Sequence, residues 1–312
     1  MIQPEPLRPG AHVYLVNTAR HLTDFPTEAI AVLESWGLRI TIGESLNYEA
    51  YGQFAAPDEI RLRDLQRALD DETVRAVFFA RGGYGSVRIL DSINWERFLQ
   101  SPKWLIGYSD ITYFHNVLNT LSCSSIHASM LSDYSDKQAN EQLWNCLSQP
   151  AYSFKSTYQW ALRPQAHFTG TVMGGNLSIL YAQLGSPTAL NPKDGILVFE
   201  DIFENLMVIE RMLYNLRRNG VFEQCKAVVF GTLTLPLDNS TSNAMSPAFA
   251  LVTEENKEAA IQDMLTRFFQ QDAFPVYYGI HVGHEKGKNW PLRLTAKANI
   301  SDKNGELLLQ YN

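Results

Sequence analysis

The sequence predicts an α/β fold with a largely parallel sheet, followed by a second domain. Three observations carry this expectation. Short apolar runs alternate with helical patterns through the first half, the composition shifts near residue 150, and apolar and helical segments then resume. Residues 12–17 (HVYLVN) read as the first strand. Residues 27–36 have apolar positions at helical spacing and stop at Gly37, a residue that favours helix ends. A second strand is expected over 38–42, a polar-faced helix over 58–69, and buried strands over 74–80 and 104–108.

Residues 149–167 mix prolines, Ser/Thr and aromatics with no helical period, and read as a crossing between domains. The expected organisation is therefore 1–150, a linker over 151–169, and 170–312. Beyond the crossing come a Gly-rich turn into a helix (174–184), an apolar run (195–199), a helix (205–218) and a strand (228–235). A helix over 255–269 and a run over 276–280 complete the pattern, and there is no internal repeat. Residues 236–253, rich in Ser, Asn and Pro, predict an exposed loop.

At 312 residues and 45% apolar composition, the chain can bury one large core or two ordinary ones. A charged fraction of 19% argues against disorder. The net charge of −7, with acids and bases mixed and no basic stripe, disfavours a nucleic-acid partner. The N-terminus lacks a basic region followed by an apolar run, and no apolar stretch approaches the ~20 residues of a membrane helix. Cys123, Cys146 and Cys225 are scattered, with neither a disulfide framework nor metal-ligand spacing. Together these features predict a cytoplasmic, non-membrane protein.

The sharpest local signal is WLIGYSDITYFHNVLNTL, where an apolar run enters Gly107-Tyr108-Ser109-Asp110 and a helical pattern follows. A serine at such a strand-to-helix turn exposes its hydroxyl beside backbone N–H groups that can stabilise an oxyanion. The motif is not G-x-S-x-G, since Ile111 occupies the last position. From this segment alone a helix N-cap is the commoner use of Ser109 or Asp110. A second element, Arg81-Gly82-Gly83-Tyr84-Gly85-Ser86, directly follows a strand. It reads either as a tight turn or as a close approach to ligand, with Gly83 N–H a candidate oxyanion donor. It lacks the residues of a phosphate loop.

Seven histidines compete for the role of base. His115 is expected to face its own packing, and His127 to approach a site at the sheet edge. His284, in GIHVGHEKG between Gly283 and a polar loop, could point into a cleft. The spacing of His281, His284 and Glu285 makes no zinc motif. In GILVFEDIFE a buried strand ends at Glu200-Asp201, where α/β proteins often carry active-site groups. A solvated strand end is the commoner alternative.

Taken together, GQFAAPDEIRLRDLQRAL, FFARGGYGSVRIL, LIGYSDIT, TVMGGNLSIL, GSPTALNPKDGILVFEDIFE, IERMLYNLRRNG and GIHVGHE resemble the LD-carboxypeptidase family in order and spacing over nearly the whole chain. That family of serine peptidases includes muramoyltetrapeptide carboxypeptidases and microcin C self-immunity peptidases. The resemblance implies a Rossmann-like N-terminal domain with a smaller β-rich C-terminal domain. It matches Ser109 to the nucleophile, Glu200 to the triad acid and His284 to the base, with Gly83 and Asp110 N–H as oxyanion donors. It further implies a homodimer needing no metal or organic cofactor, and a murein tetrapeptide that loses terminal D-alanine from an L,D bond. A cation is expected near the substrate's free carboxylate, and Arg81 is the candidate by its position in the Gly-rich loop. An amide hydrolase of a peptidyl-nucleotide and a non-catalytic peptide-binding protein are the alternatives. The chain departs from the family at Asn17-Thr18-Ala19, His127-Ala128-Ser129 and Trp290-Pro291-Leu292-Arg293, near the pocket but outside the triad.

Overall fold

A computed structural model describes residues 1–49, 51–236 and 252–311. The first half supplies strands β1 (His12–Val16), β2 (Arg39–Ile42), β3 (Val74–Phe79), β4 (Trp104–Gly107) and β5 (Ser125–His127). The second half supplies β6 (Tyr152–Thr157), β7 (Trp160–Leu162), β8 (His167–Asn176), β9 (Gly195–Ile202) and β10 (Ala227–Thr234). It closes with β11 (Val276–Tyr278), β12 (Leu292–Leu294), β13 (Ala296–Lys303) and β14 (Glu306–Tyr311).

The first sheet has the order β2-β1-β3-β4-β5-β12. Its first five strands are parallel and β12 is antiparallel. Alternate residues of β1 face opposite sides, as the period of a strand requires. Val13 and Leu15 pack with Ala29 and Leu33 of helix Thr27–Ser35 and with Leu143 of helix Lys137–Ser148. Tyr14 and Val16 pack with Leu65 and Leu69 of helix Asp58–Asp70 and with Phe114 of helix Thr112–Thr120. Helices on both faces explain why these strands read as unbroken apolar runs. Each such fully buried side chain contributes roughly 1.5–3 kcal/mol. The strand order reverses between β1 and β3, so the loops after β1, β3 and β4 open around a switch point, where α/β sheets bind ligands.

The second sheet runs β6-β14-β13-β8-β9-β10-β11-β7. Parallel strands β8 to β11 form its centre and antiparallel strands flank it. Val172, Ile196, Val198 and Val229 join the same core as Val13 and Leu15, so the two sheets share one apolar interior. The other face, with Leu197, Phe199 and Phe230, packs on helices Leu177–Ala182, Leu206–Arg218 and Lys257–Phe269.

Three expectations need correction. The segment 151–169 is not a linker, because it forms β6, β7 and the start of β8. Tyr152, Phe154 and Ser156 alternate inward with exposed neighbours, a period of two that a search for helical spacing overlooks. The division at residue 170 is also crossed, since β12 pairs with β5 and completes the first sheet. Finally, Gly174 and Gly175 belong to β8, and the helix starts after Asn176, whose side chain caps it by accepting from Ile179 N–H. Of the loop expected over 236–253, residues 237–251 lie outside the described residues. Among the described residues no helix is long and apolar enough to cross a membrane.

Candidate active site

β4 ends at Gly107, and the chain turns through Tyr108 into a 3-10 turn (Ser109–Ile111) that leads directly into helix Thr112–Thr120. Ser109 sits at φ 59°, a left-handed conformation that is uncommon outside glycine and lifts the side chain off the strand end. The first loop of the Gly-rich element lies against it: a Cβ on Gly82 would sit 3.1 Å from Ser109 Oγ and 3.3 Å from Asp110 N. The N–H groups of Gly83 and Asp110 have no acceptor among the described residues, so both remain available as donors.

The Asp110 side chain is buried and ties the two segments together, with Oδ2 accepting from Ser86 N–H at 2.8 Å. Burial pushes its carboxyl upward, while Ser86 and the nearby Arg61 charge oppose that shift. Arg61, fully buried, donates to Gly85 O and Ala56 O (both 3.0 Å) and to Thr18 O, and pairs with Asp58. One guanidinium thus fixes the loop after β1 to the loop after β3.

The second sheet contributes the charged groups. Glu200, near the end of β9, is 0% exposed, and its Oε2 lies 2.6 Å from His284 Nδ1. Burial disfavours its charge, yet the imidazole holds the carboxyl below the ordinary glutamate value. Burial likewise works against a charged His284, but Glu200 outweighs it and the imidazole stands above the ordinary histidine value. The approach is close because Gly283 precedes the histidine. At φ 132°, a Cβ there would collide with Thr232 Oγ1 and lie 3.1 Å from Glu200 Cβ. With Nδ1 engaged by the carboxylate, Nε2 is the nitrogen left for chemistry. The His284 ring leans on Tyr108, with centroids 4.6 Å apart.

Ser109, Gly83, Arg81 and His284 all line one cleft of ≈ 650 Å³, together with Arg20, Tyr84, Ser178, Asp201, Phe203 and Glu204. Ser109 Oγ and His284 do not hydrogen-bond in this structure, and such contacts are often longer without substrate. Beside Glu200, Asp201 accepts from Ser178 N–H (2.8 Å) and Ser178 Oγ (2.7 Å). Burial, then the neighbouring Glu200 charge, pushes Asp201 up to about 6. The arrangement supplies a hydroxyl on a strained turn, two orphaned N–H groups and an imidazole held by a buried carboxylate. Those parts suffice for acyl transfer.

Two other histidines, His115 and His127, are buried near the site. His115 bonds Ser125 Oγ and Gly107 O and is fully buried in packing, as expected. His127 approaches the site as expected, edge-on to Tyr108, but is sealed in the core, where burial lowers it to about 4. Arg81 lines the cleft, although its guanidinium donates to His21 O at 2.9 Å. Sequence reasoning assigned no role to Arg20, Tyr108 or Phe203, and it marked Asp201 only as the neighbour of Glu200. The position of Arg20 just beyond the first strand of a parallel sheet was a usable signal.

Residues 13–128 match the LD-carboxypeptidase N-terminal domain and residues 169–300 the LD-carboxypeptidase C-terminal domain. A putative carboxypeptidase of Streptomyces coelicolor is 31% identical over 241 residues, covering 74% of this chain and 78% of that protein. A murein tetrapeptide carboxypeptidase of Pseudomonas aeruginosa is 26% identical over 287 residues, covering 88% of each. The crystal structure of a muramoyltetrapeptide carboxypeptidase from Oxalobacter formigenes superposes with a TM-score of 0.82 at 25% identity, over 96% of this chain and 98% of that one. With both domain types present in order on one shared core, the chain belongs to the LD-carboxypeptidase family.

Proposed function

We propose that this protein is a cytoplasmic serine carboxypeptidase that releases terminal D-alanine from murein tetrapeptides by cleaving their L,D-peptide bond. The Glu200–His284 hydrogen bond of 2.6 Å, in a cleft shared with the positive-φ Ser109, is the observation that carries this reading. In the proposed mechanism His284 Nε2 takes the Ser109 proton as Oγ attacks the scissile carbonyl. Glu200 keeps the proton on Nδ1 and stabilises the imidazolium that forms. Gly83 and Asp110 N–H receive the oxyanion, each such donor typically contributing about 3 kcal/mol to the transition state. His284 then protonates the leaving amine, and water attacks the acyl-enzyme by the same route in reverse. The family relationship and the relatives named for murein peptides support the substrate class.

The test is direct. Purified protein incubated with murein tetrapeptide should liberate D-alanine and tripeptide, and Ser109→Ala should not. A variant that released D-alanine at the wild-type rate would remove Ser109 from the reaction. The proposal includes a homodimer, checked by sedimentation. One observation favours a second reading. Phe203, 75% exposed on the cleft wall, could stack on a base, as a peptidyl-nucleotide substrate would require. A kcat/KM higher for a peptidyl-adenylate analogue than for the tetrapeptide would favour that reading.

A further inference from the structure

A carboxypeptidase must recognise the chain end as well as the bond it cuts. The carboxylate of the residue being released lies roughly 3–4 Å from the scissile carbonyl carbon, as backbone dimensions dictate. A cation that reads it must therefore stand beside the oxyanion donors. Two cationic side chains line this part of the cleft, Arg20 and Arg81. They differ in what they already hold. Arg81 is committed to His21 O, which steadies the turn after β1. The Arg20 guanidinium has no hydrogen bond or ion pair among the described residues, and the residue is exposed.

The Arg20 stem is nonetheless fixed. It lies on Gly83, where a Cβ would meet Arg20 Cγ at 2.8 Å and collide with Cδ. The backbone is held as well: Arg20 O accepts from Asn17 Nδ2 at 3.0 Å, and Arg20 N–H points to Gly82 O at 3.4 Å. The Arg20 stem, from the loop after β1, thus lies against the loop after β3 that supplies the Gly83 N–H. The second sheet brings carboxylates, Asp201 and Glu204, to the same cleft, and these would repel an anionic chain end. The arginine side is where such an end can be bound.

We propose that Arg20 binds the free C-terminal carboxylate of the substrate and makes the enzyme an exopeptidase. A guanidinium suits this task because it offers paired N–H donors matching both carboxylate oxygens. The inference rests on the carboxypeptidase reading above.

The experiment uses the full chain and two peptides, L-Ala-γ-D-Glu-L-Lys-D-Ala and the same peptide ending in D-alaninamide. Release of D-alanine or D-alaninamide gives kcat/KM for each. Wild type should prefer the free acid by about 10- to 100-fold, the range for a charge-assisted pair. Arg20→Gln should lose that preference, by a fall on the acid alone, and Arg20→Lys should keep part of it. Because the acid-to-amide ratio is taken within one preparation, it does not depend on the fraction folded. Retention of the wild-type ratio by Arg20→Gln would overturn the role of Arg20 and leave the carboxypeptidase reading standing. Absence of release from both peptides by wild type would overturn that reading, and the inference with it.

Discussion

The two walls of the cleft are built from different physics. The first sheet contributes Ser109, Gly83 and Asp110 N–H through backbone conformation: a positive φ, orphaned donors and a loop clamped by the Asp110–Ser86 and Arg61–Gly85 bonds. The second contributes Glu200 and His284 through charge, in a pair where the carboxylate is removed from water and stays ionised because the imidazole faces it. The fold of the first wall should therefore tolerate loss of the Ser109 hydroxyl and resist backbone change. The second should respond to charge and pH.

The largest expected effect comes from removing the Ser109 hydroxyl. With Ser109 as the proposed nucleophile, Ser109→Ala should lower kcat by about 10⁶-fold, the loss known for serine triads, and leave the thermal midpoint unchanged. A drop of several degrees would mean that the hydroxyl supports the fold. Glu200→Gln should lower kcat by about 10⁴-fold, because the neutral amide no longer enforces the reactive tautomer. A loss below tenfold would separate the carboxylate from the chemistry. Gly283→Ala tests the backbone that delivers the charge. A side chain at φ 132° that collides with Thr232 should cost about 3 kcal/mol in chemical denaturation.

The pH response sharpens the contrast further. His284 must be neutral to act as base, so kcat/KM should rise with pH through a midpoint above the ordinary histidine value of 6.5. A midpoint below 6.5 would contradict the pairing. For stability the signs differ between partners. The raised His284 contributes fully below its unfolded value and less as pH climbs through its folded one. The lowered Glu200 contributes above its unfolded value of 4.5 and less as pH falls through its folded one. The difference in unfolding free energy between wild type and Glu200→Gln should thus be greatest between about pH 4.5 and 6.5. The smallest effect belongs to neither wall. Asp136 caps helix Lys137–Ser148 by accepting from Gln138 and Ala139 N–H, so Asp136→Ala should cost about 1 kcal/mol and leave kcat unchanged.

The same contrast governs what could be read from the chain. Strands buried on both faces, such as β1 and β3, announce themselves as apolar runs, and the strand-to-helix turn at GYSD follows from where such a run stops. Short or half-polar strands do not: β5, β12 and the alternating β6 take their identity from neighbours far along the chain. The site divides similarly. Ser109 and Glu200 sit at strand ends and are visible as positions, whereas His284 lies in a loop that only the fold directs toward Glu200. Arg20 and Arg81 are both arginines after strands. Which one is engaged depends on the His21 carbonyl, a detail of turn geometry that residue type does not carry.

The pairing of β12 with β5 also bears on how the protein is made. The sheet that holds Ser109 receives its last strand from residues 292–294, far along the chain from β5. Until residues 292–294 are in place the β5 edge is uncovered, and edges of that kind invite wrong partners. A chain cut before residue 292 would lose that strand and leave the β5 edge of the Ser109 sheet uncovered.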